Sequence, residues 1–410
     1  MNGKSRIHYG WLIVLAGTLC IFASIGIGRF ALGMLLPSMS GTLKLTYSEM
    51  GFISTANFVG YLVSVLFAGL LVRKVGTRIL IFSSLLFVGI SMSLIGKAEG
   101  FLAVTVLYTL TGIGSGASNV PMMALVSAWF VRHQRGKAAG IIVIGSGFAI
   151  LLTGKLIPYI NKSTGPEGWR LSWLVLGIIV IAAASVCMII LRNSPEDIGL
   201  LPAGSTEGTR RDIKSGSTAE GSIYRKAIIY HLGAIYFLFG YTYVIYATFI
   251  VTTLVNERKF SEAAAGNFWS WVGILSLLSG PVFGTLSDKL GRKSALITVF
   301  TIQTLSYLLI ATGLPGGFLY LSLVFYGIVA WSIPSIMAAL VGDHMGVEKT
   351  AEAFGFITFM FGLGQITGPT VAGMIAENTG SFAGSFFMAA AFTSTAVLLT
   401  AFLRNPGHEH

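Results

Sequence analysis

Long apolar runs, separated by short polar or basic segments, dominate this chain. Twelve of the runs are long enough for a helix to cross the roughly 30 Å of bilayer hydrocarbon, which takes about 20 residues. Such runs predict helices, because a spanning segment must satisfy its own backbone groups in lipid. The predicted fold class is an all-α integral membrane protein with twelve transmembrane helices, at residues 11–37, 48–72, 79–96, 102–130, 137–160, 170–191, 226–255, 263–286, 294–313, 318–341, 352–376 and 383–403.

Composition agrees with a membrane protein, since 54% of the residues are hydrophobic and only 10% are charged, against about 25% charged in soluble domains. The net charge of +11 is spread over short clusters between the apolar runs, so we expect the lipid bilayer, and no nucleic acid, as its partner. Cys20 and Cys187 lie inside apolar runs and support neither a disulfide nor a metal site. We expect no metal and no cofactor.

The basic clusters predict how the chain crosses the membrane. With the N-terminus inside, the cytoplasmic side carries roughly nineteen Lys and Arg residues and the opposite side roughly seven. We therefore predict a multi-pass protein of the cell membrane, with both termini cytoplasmic. The first apolar run is too long for a signal sequence and is expected to remain as the first span.

The chain also divides into two similar halves. Residues 192–225 are rich in Gly, Ser, Thr and charge, which predicts a flexible cytoplasmic linker between a six-helix half at 1–191 and another at 226–410. Segments of the two halves align at an offset of 215 residues, among them Gly69–Arg78 with Gly284–Lys293 and Ala138–Gly140 with Ala353–Gly355. Two pseudo-symmetric halves with a site between them are typical of transporters.

Arg29 is the most unusual residue of the first span. It follows about 18 apolar or small residues, and a central arginine in a membrane helix costs from about 3 to more than 10 kcal/mol. Such a residue normally faces a protein interior or a water-filled cavity, so we interpret Arg29 as a fixed positive charge that binds an anion. The alternative is an arginine that snorkels to the surface or is neutralised by its neighbours.

The segment that contains Gly284, Asp288, Gly291 and Arg292 resembles the loop motif of the major facilitator superfamily, and the resemblance extends over essentially the whole chain. It implies two pseudo-symmetric six-helix halves and a gating role for this motif, with its glycines allowing close helix approach and Asp288 pairing with a cation. The first-half copy departs from the motif, because Arg73 replaces the acidic residue and Thr77 the arginine.

Two narrower resemblances are present. The segments 129–140 and 193–202 are similar to the bacterial branch that includes monocarboxylate and oxalate:formate transporters. The segments Gly28–Phe30 and Asn57–Leu62 are similar to uncharacterised YbfB/YjiJ-type facilitators. Monocarboxylate transporters are expected to carry an aspartate and an arginine in span eight, and span eight here has no charge. Lactate-type transport is therefore not implied.

The resemblance also implies which spans line the cavity, and their polar residues are the candidates for substrate binding. We predict a substrate-binding set of Arg29, Asn57, Tyr61, Asn119, Tyr243, Asn267 and Trp331. For the amide side chains the alternative is a hydrogen bond between helices, and for the aromatic side chains it is core packing or an interfacial belt. Lys155 is expected to reach the outer surface, with a second anion contact as the alternative.

These observations together predict a secondary transporter, and not an enzyme. We expect a functional monomer that moves a small organic anion, a carboxylate, by alternating access, with protons as the candidate coupling ion. No carboxylate lies deep in any span, which argues against a carrier for cationic drugs. The rival prediction is an exporter of neutral or hydrophobic compounds, favoured by the many aromatic residues.

Overall fold

A computed structural model describes residues 8–205 and 222–403. It contains twelve helices that are long and apolar enough to cross a membrane, which agrees with the predicted number of spans. We number them in chain order: α1 Gly10–Leu43, α2 Tyr47–Val75, α3 Thr77–Ile95, α4 Phe101–Trp129, α5 His133–Thr164, α6 Gly168–Ile190, α7 Ala227–Glu257, α8 Glu262–Leu290, α9 Arg292–Ala311, α10 Gly317–Gly346, α11 Lys349–Thr379 and α12 Ala383–Ala401.

Each predicted span coincides with one helix, but several helices continue past the predicted ends. Helix α1 runs through Pro37 to Leu43, and α5 runs to Thr164. The apolar pattern marks only the part of a helix that matches the hydrocarbon, whereas the helix itself continues into polar residues. The basic residues before position 8, Arg404 and residues 206–221 of the predicted linker lie outside the described residues.

The chain forms two compact units. The described part of unit 1 consists of residues 8–31, 59–150 and 169–205, and that of unit 2 of residues 32–58, 151–168 and 222–403. Helices α1, α2 and α5 therefore each contribute residues to both units. The predicted halves at 1–191 and 226–410 follow from the sequence repeat and stay a prediction.

Small residues allow the helices of unit 1 to pack closely. A Cβ atom added at Gly145 of α5 would lie 2.2 Å from the Thr18 carbonyl oxygen of α1, and one added at Gly60 of α2 would lie 2.2 Å from the Thr109 carbonyl oxygen of α4. Contacts this short leave no room for a side chain. They are the kind of backbone approach that stabilises helix pairs in lipid.

The helices of unit 2 also pack closely at glycine residues. A Cβ atom added at Gly240 of α7 would lie 2.3 Å from the Phe361 carbonyl oxygen of α11, and one added at Gly364 would lie 2.3 Å from the Phe237 carbonyl oxygen. The two helices α7 and α11 therefore interlock through a glycine on each side. This crossing contributes to the burial of α7, most of whose apolar stretch lies inside the protein.

Candidate functional site

The helix around Arg29 is locally distorted. Residues Phe22–Ile27 form a π-helical segment, in which the Gly28 amide bonds to the Ala23 carbonyl five residues earlier. The Ser115 hydroxyl of α4 lies 2.8 Å from the Ser24 carbonyl oxygen and can donate to it. Short π segments inside helices frequently occur at functional sites. Here the segment ends at Ile27, two residues before Arg29.

Arg29 is held from two sides within unit 1. The Tyr108 hydroxyl of α4 donates a hydrogen bond of 2.7 Å to the Arg29 backbone carbonyl. The guanidinium carbon lies 4.5 Å from the centroid of the Tyr61 ring on α2, a cation–π contact of about 0.5–2 kcal/mol. Arg29 is half-buried. Helix α4 therefore fixes its backbone, and α2 supports its charged group.

An amide completes this arrangement. The Asn119 Nδ2 atom of α4 donates a hydrogen bond of 2.7 Å to the Tyr61 hydroxyl, and both side chains are half-buried. We call Arg29, Tyr61 and Asn119 the Arg29 cluster. It combines a permanent positive charge, a phenol and an amide, which are groups that bind a carboxylate through charge-assisted and neutral hydrogen bonds.

Asn57 lies one helical turn before Tyr61 on α2, as the sequence predicts, but it is fully buried and belongs to unit 2. In its neighbourhood α2 makes polar contacts with the rest of unit 2. The Ser54 and Thr248 hydroxyls lie 3.1 Å apart, and the Thr55 and Thr370 hydroxyls lie 2.7 Å apart. A contact between Asn57 and a substrate stays a prediction.

Tyr243 and Trp331 come together in unit 2, with their ring centroids 6.0 Å apart. The Gln365 Nε2 atom of α11 donates a hydrogen bond to the Tyr243 hydroxyl, and the Tyr326 hydroxyl donates one of 3.0 Å to the Tyr243 backbone carbonyl. We call Tyr243, Gln365 and Trp331 the Tyr243 cluster. Tyr243 and Gln365 are only 2% and 3% exposed, and their role in substrate binding stays a prediction.

Asn267 of α8 lies in another contact of unit 2. The Lys155 Nζ atom of α5 donates a hydrogen bond to the Asn267 Oδ1 atom, and both side chains are exposed. Residues of α5 and α8 approach closely beside them, since a Cβ atom at Gly154 would lie 2.5 Å from the Gly266 carbonyl oxygen. Lys155 therefore has a side-chain partner that was not predicted from the sequence.

The predicted loop motif lies mostly inside helices. Gly284 and Asp288 belong to α8, Arg292 begins α9, and Gly291 between them has a φ of 86° that favours glycine. Asp288 forms an ion pair with Arg292, and the Arg292 Nε atom lies 3.3 Å from the Asp343 Oδ2 atom. The expected close helix approach is not found at Gly284 or Gly291, because a Cβ atom at either would meet no heavy atom within 4 Å.

Two residues that bond to the backbone of α1 near Arg29 were not predicted from the sequence. Tyr108 and Ser115 act through backbone carbonyl oxygens of α1, and a sequence contains no signal for such a contact beyond a polar atom in an apolar span. Within residues 8–205 and 222–403 the structure has no group of three or more His, Cys, Asp and Glu residues that could hold a metal ion. The Arg29 cluster is therefore the candidate site with the most distinctive chemistry.

A family model described as an uncharacterised MFS-type transporter YbfB matches residues 21–401. The match extends from the middle of α1 to the end of α12. It confirms the resemblance to the major facilitator superfamily and to YbfB-type facilitators. It also agrees with the prediction that the chain is a transporter and not an enzyme.

Similar proteins have names that describe carriers of organic anions. The hexuronate transporter of Bacillus subtilis (strain 168) is 24% identical, over 97% of this chain and 95% of its own length. The probable sulfoacetate transporter of Cupriavidus necator is 23% identical, over 98% of this chain and 95% of its own length. Monocarboxylate transporter 2 of Homo sapiens is 21% identical, over 91% of this chain and 81% of its own length.

Solved structures agree with the predicted fold. A mutant of the nucleoside transporter NupG aligns with a TM-score of 0.74, over 96% of this chain and 99% of its own, at 14% identity. At this identity the likeness establishes the fold alone. The predicted fold class is confirmed as that of a multi-pass membrane transporter.

Proposed function

The chain belongs to the family of uncharacterised YbfB-type transporters of the major facilitator superfamily, and on this premise we propose that it carries a small organic anion with a carboxylate group. The observation that supports this proposal is the Arg29 cluster. Its guanidinium lies in the central part of α1 and over the Tyr61 ring. Its backbone carbonyl accepts the Tyr108 hydroxyl.

Electrostatics explain why an anion suits this position. An arginine at mid-membrane depth is costly and is usually retained for function. A carboxylate compensates the charge and can accept two parallel N–H bonds from the planar guanidinium. The names of the relatives, which mention hexuronate, sulfoacetate and monocarboxylate, support the same class of substrate. The substrate carboxylate therefore binds at Arg29, with Tyr61 and Asn119 beside it.

The proposed mechanism is alternating access in the cell membrane by a functional monomer with both termini cytoplasmic. The anion binds at Arg29. Roles in substrate binding for Asn57, Tyr243, Asn267 and Trp331 remain part of the proposal. The Asp288–Arg292 pair stabilises one end state of the cycle. A proton accompanies the substrate, carried by the substrate carboxylate or by a residue near the membrane surface.

The test is ligand binding by the purified full chain, measured as thermal stabilisation. The probes are small carboxylates and their uncharged counterparts, such as propionate with propionamide and glucuronate with glucose. A ligand at 100 times its dissociation constant adds about 2.7 kcal/mol to the apparent stability. We expect stabilisation by carboxylates only. Arg29→Gln is expected to abolish it, and Arg29→Lys to retain part of it.

Arg170 provides a matched control in the same unit. Its guanidinium carbon also lies over an aromatic ring, 4.3 Å from the centroid of Trp169, and it donates to the carbonyl oxygens of Gly96 and Ala98. Arg170→Gln is expected to lower stability and to leave carboxylate binding intact. Equal carboxylate binding by the parent and a folded Arg29→Gln variant would refute the proposal. Stabilisation by neutral or lipophilic compounds in both would favour the exporter.

A further inference from the structure

The Tyr61–Asn119 pair has hydrogen-bonding capacity beyond the bond that joins its members. A phenol has one donor and accepts through its oxygen, and a primary amide has a carbonyl acceptor and two N–H donors. The Asn119 Nδ2 atom donates to the Tyr61 oxygen. The phenol then keeps its own proton to donate, and the amide keeps its carbonyl oxygen to accept.

The pair also keeps a donor and an acceptor if the Asn119 amide group is rotated by 180°, which exchanges its oxygen and nitrogen atoms. The Tyr61 hydroxyl would then donate to the Asn119 oxygen, the phenol oxygen would accept, and the amide N–H groups would donate. In either orientation the pair keeps at least one donor and one acceptor side by side. A hydroxyl group both donates and accepts, so it matches this pair better than a group with one function only.

The pair is also within reach of the charge. The Tyr61 ring that supports the Arg29 guanidinium at 4.5 Å carries the hydroxyl that Asn119 contacts. One small molecule can therefore touch the guanidinium with its carboxylate and the pair with a neighbouring group. All three residues are half-buried, so part of each stays exposed, although the Arg29 Nε and Nη2 atoms are themselves buried.

We propose that the Arg29 cluster selects hydroxycarboxylates, with the carboxylate on Arg29 and a nearby hydroxyl group on the Tyr61–Asn119 pair. This inference rests on the proposed function and makes its substrate class narrower. A site that bonds a ligand hydroxyl discriminates against the ligand without it, because its own polar groups then lose a partner. In a half-buried site water replaces part of that partner, so we expect a preference of about tenfold.

The experiment compares ligands that differ by hydroxyl groups alone. Dissociation constants are measured by calorimetry on the purified full chain for lactate and propionate, and for tartrate and succinate. In the parent protein, lactate and tartrate are expected to bind about tenfold tighter than their partners. Tyr61→Phe keeps the ring under Arg29 and removes the hydroxyl, so it is expected to reduce the preference to less than twofold.

Two further variants make the result specific. Tyr9→Phe removes a hydroxyl that donates to the Ile190 carbonyl at 2.7 Å. Tyr9 directly precedes α1 and lies about 30 Å from Arg29 by helix rise, so this variant is expected to keep the full preference. Asn119→Leu is expected to lose the preference as Tyr61→Phe does, and it replaces that variant if Tyr61→Phe does not fold.

The outcomes separate the two proposals. If the parent binds both members of each pair equally and Arg29→Gln binds neither, hydroxyl selection is refuted and carboxylate transport stands. If Tyr61→Phe and Asn119→Leu both retain the preference, hydroxyl selection by this pair is refuted as well. If the parent binds no carboxylate at all, the proposed function fails together with the inference.

Discussion

The Arg29 cluster of unit 1 and the Tyr243 cluster of unit 2 both contain an amide that donates to a phenol. In unit 1 the pair is Asn119 with Tyr61, and in unit 2 it is Gln365 with Tyr243. The surroundings differ. The first pair is half-buried beside a guanidinium, whereas Tyr243 is 2% exposed and stacks on Phe361 with ring centroids 5.7 Å apart. The same two groups therefore face a charge in one unit and aromatic rings in the other.

The backbone around the two clusters is similar. Tyr108 donates to the Arg29 carbonyl in unit 1, and Tyr326 donates to the Tyr243 carbonyl in unit 2. Arg29 and Tyr243, like Tyr108 and Tyr326, are separated by nearly the offset of the sequence repeat. The repeat thus preserves how the helices are joined. The residue whose carbonyl accepts this hydrogen bond is Arg29 in unit 1 and Tyr243 in unit 2. This one difference decides whether a positive charge lies at the contact.

The largest expected effect is on stability, and it comes from removing the amide partner of each phenol. The comparison tests whether the deeper burial of the Tyr243 cluster makes its hydrogen bond more important for stability. Gln365→Leu leaves the Tyr243 hydroxyl buried without its amide partner, which costs about 1–3 kcal/mol of unfolding free energy. Asn119→Leu is expected to cost less than about 1 kcal/mol, because water can reach the half-buried Tyr61 hydroxyl. Thermal or denaturant unfolding of the two purified variants measures the difference.

A double variant gives the control for this comparison. When both partners of a buried hydrogen bond are replaced by apolar groups, most of the loss is recovered. We therefore expect Gln365→Leu combined with Tyr243→Phe to be more stable than Gln365→Leu alone, which a double-mutant cycle quantifies. Equal losses for Gln365→Leu and Asn119→Leu would mean that the two clusters are not distinguished by burial.

The sequence was sufficient to predict the twelve helices, and it marked Arg29 as an unusual residue of the first span. Both follow from local composition, since a spanning helix needs a continuous apolar run and a charge within such a run is visible without a structure. The helix ends were less predictable, because polar residues continue α1 and α5 beyond the hydrocarbon. The π-helical segment before Arg29 gave no recognisable signal in the sequence.

The contacts among the predicted site residues could not be read from the sequence in the same way. Each was chosen as a polar or aromatic residue in a lining span, but its partner depends on the rotation of each helix about its axis. Arg29, Tyr61 and Asn119 do meet, Tyr243 meets Trp331, and Asn267 contacts Lys155 instead of either group. A shift of one residue along a helix rotates a side chain by about 100°, which is enough to change its partner.

An intermediate effect is expected when the hydroxyl that holds each carbonyl is removed. Tyr108→Phe and Tyr326→Phe each lose one buried hydrogen bond, and each should lower the unfolding free energy by about 1 kcal/mol. Tyr108→Phe is expected to weaken carboxylate binding more than Tyr326→Phe does, by about three- to tenfold, because Arg29, which carries the charge, loses the bond that positions its backbone. Binding isotherms and unfolding curves of the two variants separate positioning from stability, and an equal loss of affinity in both would contradict this role of Tyr108.

The smallest expected effect concerns the ion pair at the junction between α8 and α9. The corresponding junction of unit 1 has no acidic residue at the matching position. In unit 2, Arg292 pairs with Asp288 and lies near Asp343, whereas the junction of α2 and α3 has Arg73 in place of the acid. The Asp288 side chain is 67% exposed, and exposed ion pairs contribute about 0–1 kcal/mol. Asp288→Asn is therefore expected to lower the unfolding free energy by less than about 1 kcal/mol. Carboxylate affinity is expected to stay unchanged. If the pair stabilises one end state, the transport rate in proteoliposomes is expected to fall. If the transport rate and the stability are both unchanged, the Asp288–Arg292 pair has no role in the transport cycle. The positive φ of Gly291 would then be the remaining structural reason for the residue types at this junction.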